Sequence, residues 1–204
     1  MLNLNTPLEL TEKQNEAIKA LIDESGELKE EHWRKRERTL RIAIRSKLMS
    51  MQNNFCVYCG CPIFGAEDVE HIAHKADYPQ FIFTPKNLAY SCKMCNQTYK
   101  GQVDVVAQVD TDYDKCQFKM VHPYLDDVDH YFDTSKFEIK VQAGLTASER
   151  RKAVYTHNLL HWSDPAVTLR RAATYMMQRY SEENQTSLAQ IVLDDTLSYK
   201  PGII

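Results

Sequence analysis

Residues 56–101 have the sequence CVYCGCPIFGAEDVEHIAHKADYPQFIFTPKNLAYSCKMCNQTYKG, and this stretch decides the fold. It holds two Cys-x-x-Cys pairs, Cys56/Cys59 and Cys92/Cys95, with 32 residues between them. A Cys-x-x-Cys turn presents two thiolates to one ion, and two such turns complete the tetrahedron that structural zinc prefers. The intervening segment is longer than a simple zinc ribbon needs, so we expect a further substructure between the two pairs.

Other interpretations of the cysteines are weaker. Disulfides are disfavoured because the N-terminus, MLNLNTPLEL, lacks the basic and apolar segments of a secretion signal. A redox motif is disfavoured because the βαβ context of a thioredoxin-like site is missing. A zinc staple without chemistry, or two unrelated pairs, stays an alternative. Cys61 is a spare thiol near the first pair, and Cys116 is expected in the core.

Composition bounds the class of protein. The chain has 204 residues, 43% of them hydrophobic and 26% charged, as in an ordinary soluble protein with one small core and helical additions. No apolar run approaches the roughly 18 residues of a membrane span, so we expect a cytoplasmic protein without membrane association. The net charge of −3 argues against binding nucleic acid through bulk charge but permits a local basic face.

A basic run lies just before the first cysteine pair. The run contains seven basic residues and one acidic residue, Glu37. The basic residues are Arg34, Lys35, Arg36, Arg38, Arg41, Arg45 and Lys47. Such a run is often only a solvated helix surface. Its position beside the cysteines favours contacts of Arg38, Arg41 and Arg45 with nucleic-acid phosphates. A docking face for a protein partner, with Trp33 as an anchor, is the third interpretation.

Capping signals and periodicity predict the helices. Thr11 with Gln14 is a capping box that opens a helix to about residue 22. A second helix, from about 27 to 51, has an apolar stripe at Trp33, Leu40, Ile44 and Leu48. Between the cysteine pairs we predict a strand at 69–73, a loop at 78–85, and a helix over 92–100 that ends at Gly101.

The remaining chain changes character after residue 102. Alternation predicts a strand over 136–142, with 130–132 as its partner. Thr146 with Glu149 opens a helix to about residue 160, and another begins near Pro165. A last helix is expected over 182–193. We therefore divide the chain into an N-terminal helical segment (1–52), a zinc-stabilised core (53–104) and a C-terminal accessory region (105–204).

The order of polar residues between the two cysteine pairs resembles that of HNH (ββα-metal) endonucleases. Glu70-His71, Asn87, Cys95-Asn96 and Lys100-Gly101 follow the pattern of that family. The resemblance implies an α+β fold in which a ββα-metal hairpin and helix, with a four-cysteine structural zinc site, is embedded in a mainly helical chain. Single elements of the motif are weak signals, and their order inside the two cysteine pairs makes it specific.

The resemblance also implies roles for the residues. His71 is expected as general base, because a neutral imidazole can take a proton from water near pH 7. Glu70 and Asn96 are expected as oxygen ligands of a catalytic Mg²⁺ or Mn²⁺. Asn87 is expected to hold the strand that carries the histidine. His74, Lys75 and Lys100 are expected near phosphates.

This sequence departs from the common family pattern at two positions. Asn96 stands where many relatives have histidine, which puts the strength of metal binding in doubt. His74 stands where many have proline. The interpretations for it are a contact with phosphate or metal and a plain surface role, which is the more common one in such a loop.

The flanking segments resemble the nuclease subunit of Septu-type anti-phage systems, and more loosely retron-associated nucleases. This implies an ABC-type ATPase as a partner and DNA as the favoured substrate. An RNA endonuclease, or a non-catalytic zinc module that binds nucleic acid or protein, stays open. For His122, Asp126, Asp127 and His130 the favoured interpretation is a set of bonds that tie the tail to the core, with support of the active site as the alternative.

Overall fold

Three helices precede the first cysteine pair in the computed structural model, which describes residues 1–35, 38–63, 65 and 67–184. They are α1 (Glu12–Ser25), α2 (Glu30–Lys35) and α3 (Arg38–Met51). The predicted capping box opens α1, and Gly26 ends it in the left-handed region at φ 78°. The predicted helix over 27–51 corresponds to α2 and α3, and residues 36–37 between them lie outside the described residues.

The apolar stripe of α3 joins these helices to the core. Leu40, Ile44 and Leu48 are buried, as the periodicity predicts. Just beyond α3, the Gln52 amide donates to the carbonyl of Tyr90 at 2.8 Å and accepts from its N–H at 2.7 Å. A side chain therefore supplies the hydrogen bonds that a third strand would otherwise make beside Tyr90.

A two-stranded antiparallel sheet lies between the cysteine pairs. Strand β1 (Glu67–His71) pairs with β2 (Leu88–Cys92) so that Glu67 faces Cys92 and His71 faces Leu88. All five residues of β2 are buried, since α3 packs on it. A short π-helix (Met94–Lys100) follows, and it ends at Gly101 with φ 51°. The strand–strand–helix order thus brings the second cysteine pair back to the first.

The rest of the described chain is built from small elements around two longer helices. In chain order they are β3 (Val106–Gln108), β4 (Gln117–Phe118), α4 (Val128–Tyr131), β5 (Phe132–Asp133), β6 (Lys140–Val141), α5 (Ala147–Leu159) and α6 (Pro165–Asn184). Each strand pair, β3 with β4 and β5 with β6, forms its own two-stranded antiparallel sheet.

The α+β class is confirmed, and several local predictions need correction. The predicted strand over 136–142 survives only as Lys140–Val141, and its partner is Phe132–Asp133 because residues 128–131 form the helical turn α4. The pair β3 and β4 was not predicted, since segments of three and two residues are too short to show alternation. The predicted helix over 182–193 lies mostly outside the described residues.

No helix of the described residues is both long and apolar enough to cross a membrane.

Candidate functional site

The four cysteines of the two pairs come together as predicted. The sulfur atoms of Cys56, Cys59, Cys92 and Cys95 all lie within 4.8 Å of one another, and all four residues are buried. Tetrahedral coordination with Zn–S bonds of about 2.3 Å places sulfurs about 3.8 Å apart, so the cluster has the size that one ion requires. The cluster could therefore hold a metal ion such as zinc.

Electrostatics of the cluster support the same conclusion. Burial raises the pKa of Cys56 well above its ordinary value. Hydrogen bonds from Cys56, Cys59 and Cys95 instead lower the pKa of Cys92. The backbone N–H of Cys92 also donates to the Cys56 sulfur at 3.4 Å. Four buried sulfurs cannot all ionise beside one another unless a cation neutralises them.

The first cysteine turn is fastened by a residue of α6. Gly60 adopts φ 64°, and a Cβ atom built on it would lie 3.0 Å from Nη1 of Arg171. The Arg171 guanidinium donates to the carbonyls of Cys59 and Phe137, the latter at 2.6 Å. The spare thiol, Cys61, is buried but is not a member of the four-sulfur cluster.

A cleft of about 410 Å³ lies beside the hairpin. It is lined by Trp33, Arg41, Asp68, Val69, Glu70, His71, His74, Lys75, Asn96, Gln97, Lys100, Gly101 and Gln102. Three of the four predicted catalytic residues, Glu70, His71 and Asn96, therefore share one cavity. Glu70 and His71 can both border it although they are neighbours, because His71 is the last residue of β1.

The His71 imidazole is held in one tautomer. Its Nε2 lies 3.1 Å from the carbonyl oxygen of Ile82, which can only accept, so Nε2 carries the proton and Nδ1 has the lone pair. Trp33 packs edge-on against the ring, with centroids 4.5 Å apart. Burial, followed by the nearby charge of Lys75, lowers the pKa of His71 to about 3. The ring is therefore neutral near pH 7.

Nδ1 of His71 makes no hydrogen bond within the described residues. His71 is 6% exposed and borders the cleft. The lone pair of a neutral imidazole that borders a cleft can accept a proton from water.

Glu70 lies in a buried polar group. Lys100 Nζ is 2.7 Å from Glu70 Oε1, and Tyr58 donates its hydroxyl to the same oxygen at 3.0 Å. Lys100 also donates to the carbonyl of His71 at 3.2 Å. The described contacts of the Glu70 carboxylate fall on Oε1.

Asn87 lies behind the cleft and is fully buried. Its Oδ1 accepts from the N–H of Ala73 at 2.7 Å, and its Nδ2 donates to the carbonyls of Ala73 and Phe81. Ala73 follows His71 by two residues, and Phe81 precedes Ile82. Asn87 thus joins the end of the histidine strand to the loop whose carbonyl fixes the histidine tautomer.

Asn96 and Cys95 diverge on the π-helix. Cys95 is buried in the sulfur cluster, whereas Asn96 is half-buried and borders the cleft. The N–H of Gly101 donates to the Asn96 carbonyl at 2.8 Å, five residues back, which is the π-helical spacing. Adjacent residues of one helical turn therefore contribute to different sites, Cys95 to the sulfur cluster and Asn96 to the cleft.

The residues predicted to contact phosphate differ in their exposure and in their ion-pair partners. Lys100 is only 1% exposed and pairs with Glu70, so its ammonium is not at the surface. Lys75 and His74 border the cleft and pair with Glu30 at 3.5 Å and Asp77 at 3.1 Å. The side chain of Arg38 lies outside what the structure describes.

Arg41 and Arg45 line a second cavity that continues the cleft. Its volume is about 300 Å³, and the residues that border both cavities are Trp33, Arg41, Asp68 and Val69. Together the two cavities form a groove along α3.

Two tyrosines of the site were not predicted from the sequence. Tyr58, inside the first Cys-x-x-Cys pair, donates to Glu70. Tyr113 donates to Asn87 Oδ1 at 2.9 Å. A bulky polar residue between two metal-ligand candidates was a signal for Tyr58, whereas nothing in the local pattern marks Tyr113.

The polar residues of unassigned role form hydrogen bonds and ion pairs within the C-terminal region. They are His122, Asp126, Asp127 and His130. Asp126 accepts from the His122 N–H at 2.7 Å and pairs with Lys152 at 2.7 Å. Asp127 caps α4, and His130 lies 3.1 Å from Glu149. Asp126 and His130 therefore do not act together as one helical face, because α4 starts only at Val128.

Comparison with known proteins gives partial similarities. No protein-family model matches the chain. Protein ea31 of Escherichia phage lambda is 37% identical over 71 residues, which cover 35% of this chain and 21% of ea31. Septu protein PtuB of Bacillus thuringiensis is 41% identical over 56 residues, which cover 26% of this chain and 22% of PtuB. The aligned segments span only about a fifth of each relative. The predicted likeness to a Septu protein is confirmed within the aligned segment.

Proposed function

We propose that this protein is a metal-dependent HNH endonuclease that hydrolyses phosphodiester bonds of nucleic acid. One observation carries the proposal. A neutral histidine, fixed as the Nε2–H tautomer by Ile82, shares a cleft with a carboxylate and an amide on a hairpin and helix that start from a four-cysteine cluster. A module that only binds nucleic acid has no need of an oriented base beside oxygen ligands.

His71 is the general base in this proposal. Its Nδ1 accepts the proton of the attacking water, and the Ile82 carbonyl stabilises the imidazolium that forms through Nε2. Trp33 on the ring limits its rotation, so the lone pair keeps its direction. The lowered pKa of His71 keeps the base neutral before reaction, whereas an anionic phosphate at the cleft would raise that pKa toward neutrality.

Glu70 and Asn96 would hold the catalytic cation. Both border the cleft and offer oxygen atoms, the ligands that Mg²⁺ and Mn²⁺ prefer, so the residues present fit such an ion. When bound, a divalent cation neutralises charge on the scissile phosphate and on the departing oxygen. Lys100 neutralises Glu70 from the opposite side and supports the His71 carbonyl.

The cysteine cluster would hold a structural Zn²⁺. Its four thiolates complete the tetrahedron, so no position is open for substrate. The ion would fasten the turn before β1 to the turn after β2, which fixes the two ends of the catalytic hairpin.

The groove along α3 is the proposed path of the nucleic acid. Arg41 and Arg45 border it on one side of the cleft, and Lys75 borders the cleft itself. Contacts of this kind recognise phosphate and not base, and we favour DNA over RNA only through the Septu likeness. The same likeness supports an anti-phage role and an ABC-type ATPase partner. Residues 53–104 are the nuclease core in this proposal, between the accessory regions 1–52 and 105–204.

A cleavage assay with Mg²⁺ or Mn²⁺ on supercoiled plasmid and on RNA tests the function. We expect cleavage by the wild type and a loss of about 10²–10⁴-fold in His71→Ala, with zinc content and melting temperature retained. His130→Ala is the matched control, because it removes an imidazole that pairs with Glu149 and does not border the cleft. Full activity in His71→Ala, or no metal-dependent cleavage of either substrate by the wild type, contradicts the proposal.

A further inference from the structure

A chain of hydrogen bonds runs from the C-terminal region to Asn87. The backbone N–H groups of Tyr124 and Leu125 donate to Nδ1 of His122, at 3.1 and 3.3 Å. Nε2 of His122 lies 3.0 Å from the hydroxyl of Tyr113. That hydroxyl donates to Oδ1 of Asn87 at 2.9 Å.

The direction of every bond in this chain is fixed. Since Nδ1 of His122 accepts two N–H groups, its single proton is on Nε2. Nε2 therefore donates to the Tyr113 oxygen, and the hydroxyl proton is free to point at Asn87. Oδ1 of Asn87 receives it together with the Ala73 N–H, which leaves Nδ2 for the carbonyls of Ala73 and Phe81. No member of the chain can be reversed without placing two donors together.

The chain is sealed from water. Asn87 and His122 are fully buried and Tyr113 is 5% exposed. Phe81 and Phe118 pack against the Tyr113 ring, with centroids 4.9 and 5.6 Å away. A hydrogen bond removed here cannot be replaced by bulk water, so each member depends on its neighbour.

We propose that Tyr113 and His122 are positioning residues that hold Asn87, and through it the two backbone segments that fix His71. This inference rests on the proposed nuclease function for its catalytic consequence but not for its structural one. Asn87 touches Ala73, two residues after the base, and Phe81, one residue before the Ile82 carbonyl that holds the base. The C-terminal region thereby helps to position the residues of the site, in addition to packing on the core.

Hydrogen exchange tests the structural half without any cleavage assay. The amides of Ile72 and Ala73 are adjacent, but Ile72 donates to the backbone carbonyl of Asn87 and Ala73 to its side chain. In Tyr113→Phe we expect the Ala73 amide to exchange about 5- to 100-fold faster, while the exchange of Ile72 changes less. The substitution removes a hydrogen-bond partner of the Asn87 side chain, which holds Ala73, and leaves the Asn87 backbone carbonyl, which holds Ile72, as it is. Tyr155→Phe is the control for removal of a tyrosine hydroxyl elsewhere. An unchanged ratio of the two exchange rates overturns the proposal.

Two substitutions of His122 separate positioning from general packing. Glutamine can place its Nε2 where the histidine Nε2 donates, whereas asparagine keeps an acceptor for the backbone but is too short to reach Tyr113. We expect His122→Gln to keep the exchange ratio and most of kcat. His122→Asn should lower kcat about 10-fold with KM within about 2-fold. Equal behaviour of the two variants overturns the proposal, and the exchange result stands even if the wild type cuts nothing.

Discussion

Lys100 Nζ lies 2.7 Å from Glu70 Oε1, and each of the two side chains is only 1% exposed. The pair is thus a buried salt bridge inside a cleft where the proposed function needs a cation. The Lys100 ammonium neutralises the Glu70 carboxylate, and its aliphatic stem packs in the interior. Removing one partner leaves an uncompensated buried charge, which typically costs about 3–5 kcal/mol.

Replacement of Lys100 by methionine should make stability depend on the divalent cation. We expect Lys100→Met to lower the melting temperature in Mg²⁺-free buffer, and added Mg²⁺ to restore more of it than in the wild type, since the cation would then neutralise Glu70. The double variant Glu70→Gln/Lys100→Met should melt nearer the wild type and lack the Mg²⁺ response. Differential scanning calorimetry of the zinc-loaded protein measures both.

Lys19→Met is the matched control, because Lys19 and Asp23 form an ion pair with both side chains well exposed. Exposed pairs contribute about 0–1 kcal/mol, so this variant should melt like the wild type. A Mg²⁺ response in Lys100→Met no larger than in the wild type would contradict the placement of the cation at Glu70.

The sulfur cluster predicts one zinc per chain. Replacement of two buried cysteines, Cys92 and Cys61, should have opposite effects on zinc content. Cys92→Ser should lose zinc and unfold, because structural zinc contributes roughly 10–16 kcal/mol of binding free energy. Cys61→Ser should keep about one equivalent, since Cys61 is also buried but lies outside the cluster. Elemental analysis after purification without added metal measures this. Loss of zinc from Cys61→Ser, or a zinc-free folded wild type, would show that the ligand set is wrong.

Two buried histidines predict that the protein loses stability in mild acid. Burial, with the charge of Lys152, lowers the pKa of His122 well below 6.5, and burial lowers that of His71 to about 3. Each ring stays neutral in the folded state and becomes charged on unfolding, so the unfolded chain binds more protons. The stability due to neutral burial is therefore complete above pH 6.5 and decreases as the pH falls below it, by up to about 1.4 kcal/mol per unit for each histidine.

The measurement is guanidinium unfolding between about pH 8 and pH 5.5, a range chosen to limit acid release of zinc. His122→Gln should reduce the acid slope of the unfolding free energy by about one proton. A slope in His122→Gln equal to that of the wild type would mean that His122 is already charged in the folded protein.

The parts of the site that sequence could predict are those fixed by local spacing. The two Cys-x-x-Cys turns predicted the cluster because each pair needs only its own turn, and the capping boxes at Thr11 and Thr146 predicted the starts of α1 and α5. The buried pairing of Lys100 with Glu70 could not be predicted, since a lysine at the end of a helix is usually a surface residue. Tyr113 reaches Asn87 over 26 residues, and no periodicity reports a contact of that kind.

The groove along α3 yields the last prediction, which concerns salt. Arg41 and Arg45 border cavities continuous with the cleft, and Arg38 precedes them on the same helix. If the three bind phosphates, replacing them with glutamine should weaken nucleic-acid affinity and lower the slope of log K against log salt by roughly one for each arginine–phosphate pair that is removed. Zinc content should not change, because none of the three arginines is a ligand of the sulfur cluster.

Arg150→Gln/Arg151→Gln is the control, since it removes two exposed arginines on α5 that border neither cavity. The rival interpretation is that this face of α3, with Trp33, docks a protein partner or a second copy of the chain. The triple variant would then bind nucleic acid normally, and its complex would dissociate on a sizing column. Normal binding together with normal assembly would reduce the basic run to a solvated surface, and the path of the nucleic acid would have to leave the cleft on the side of Lys75.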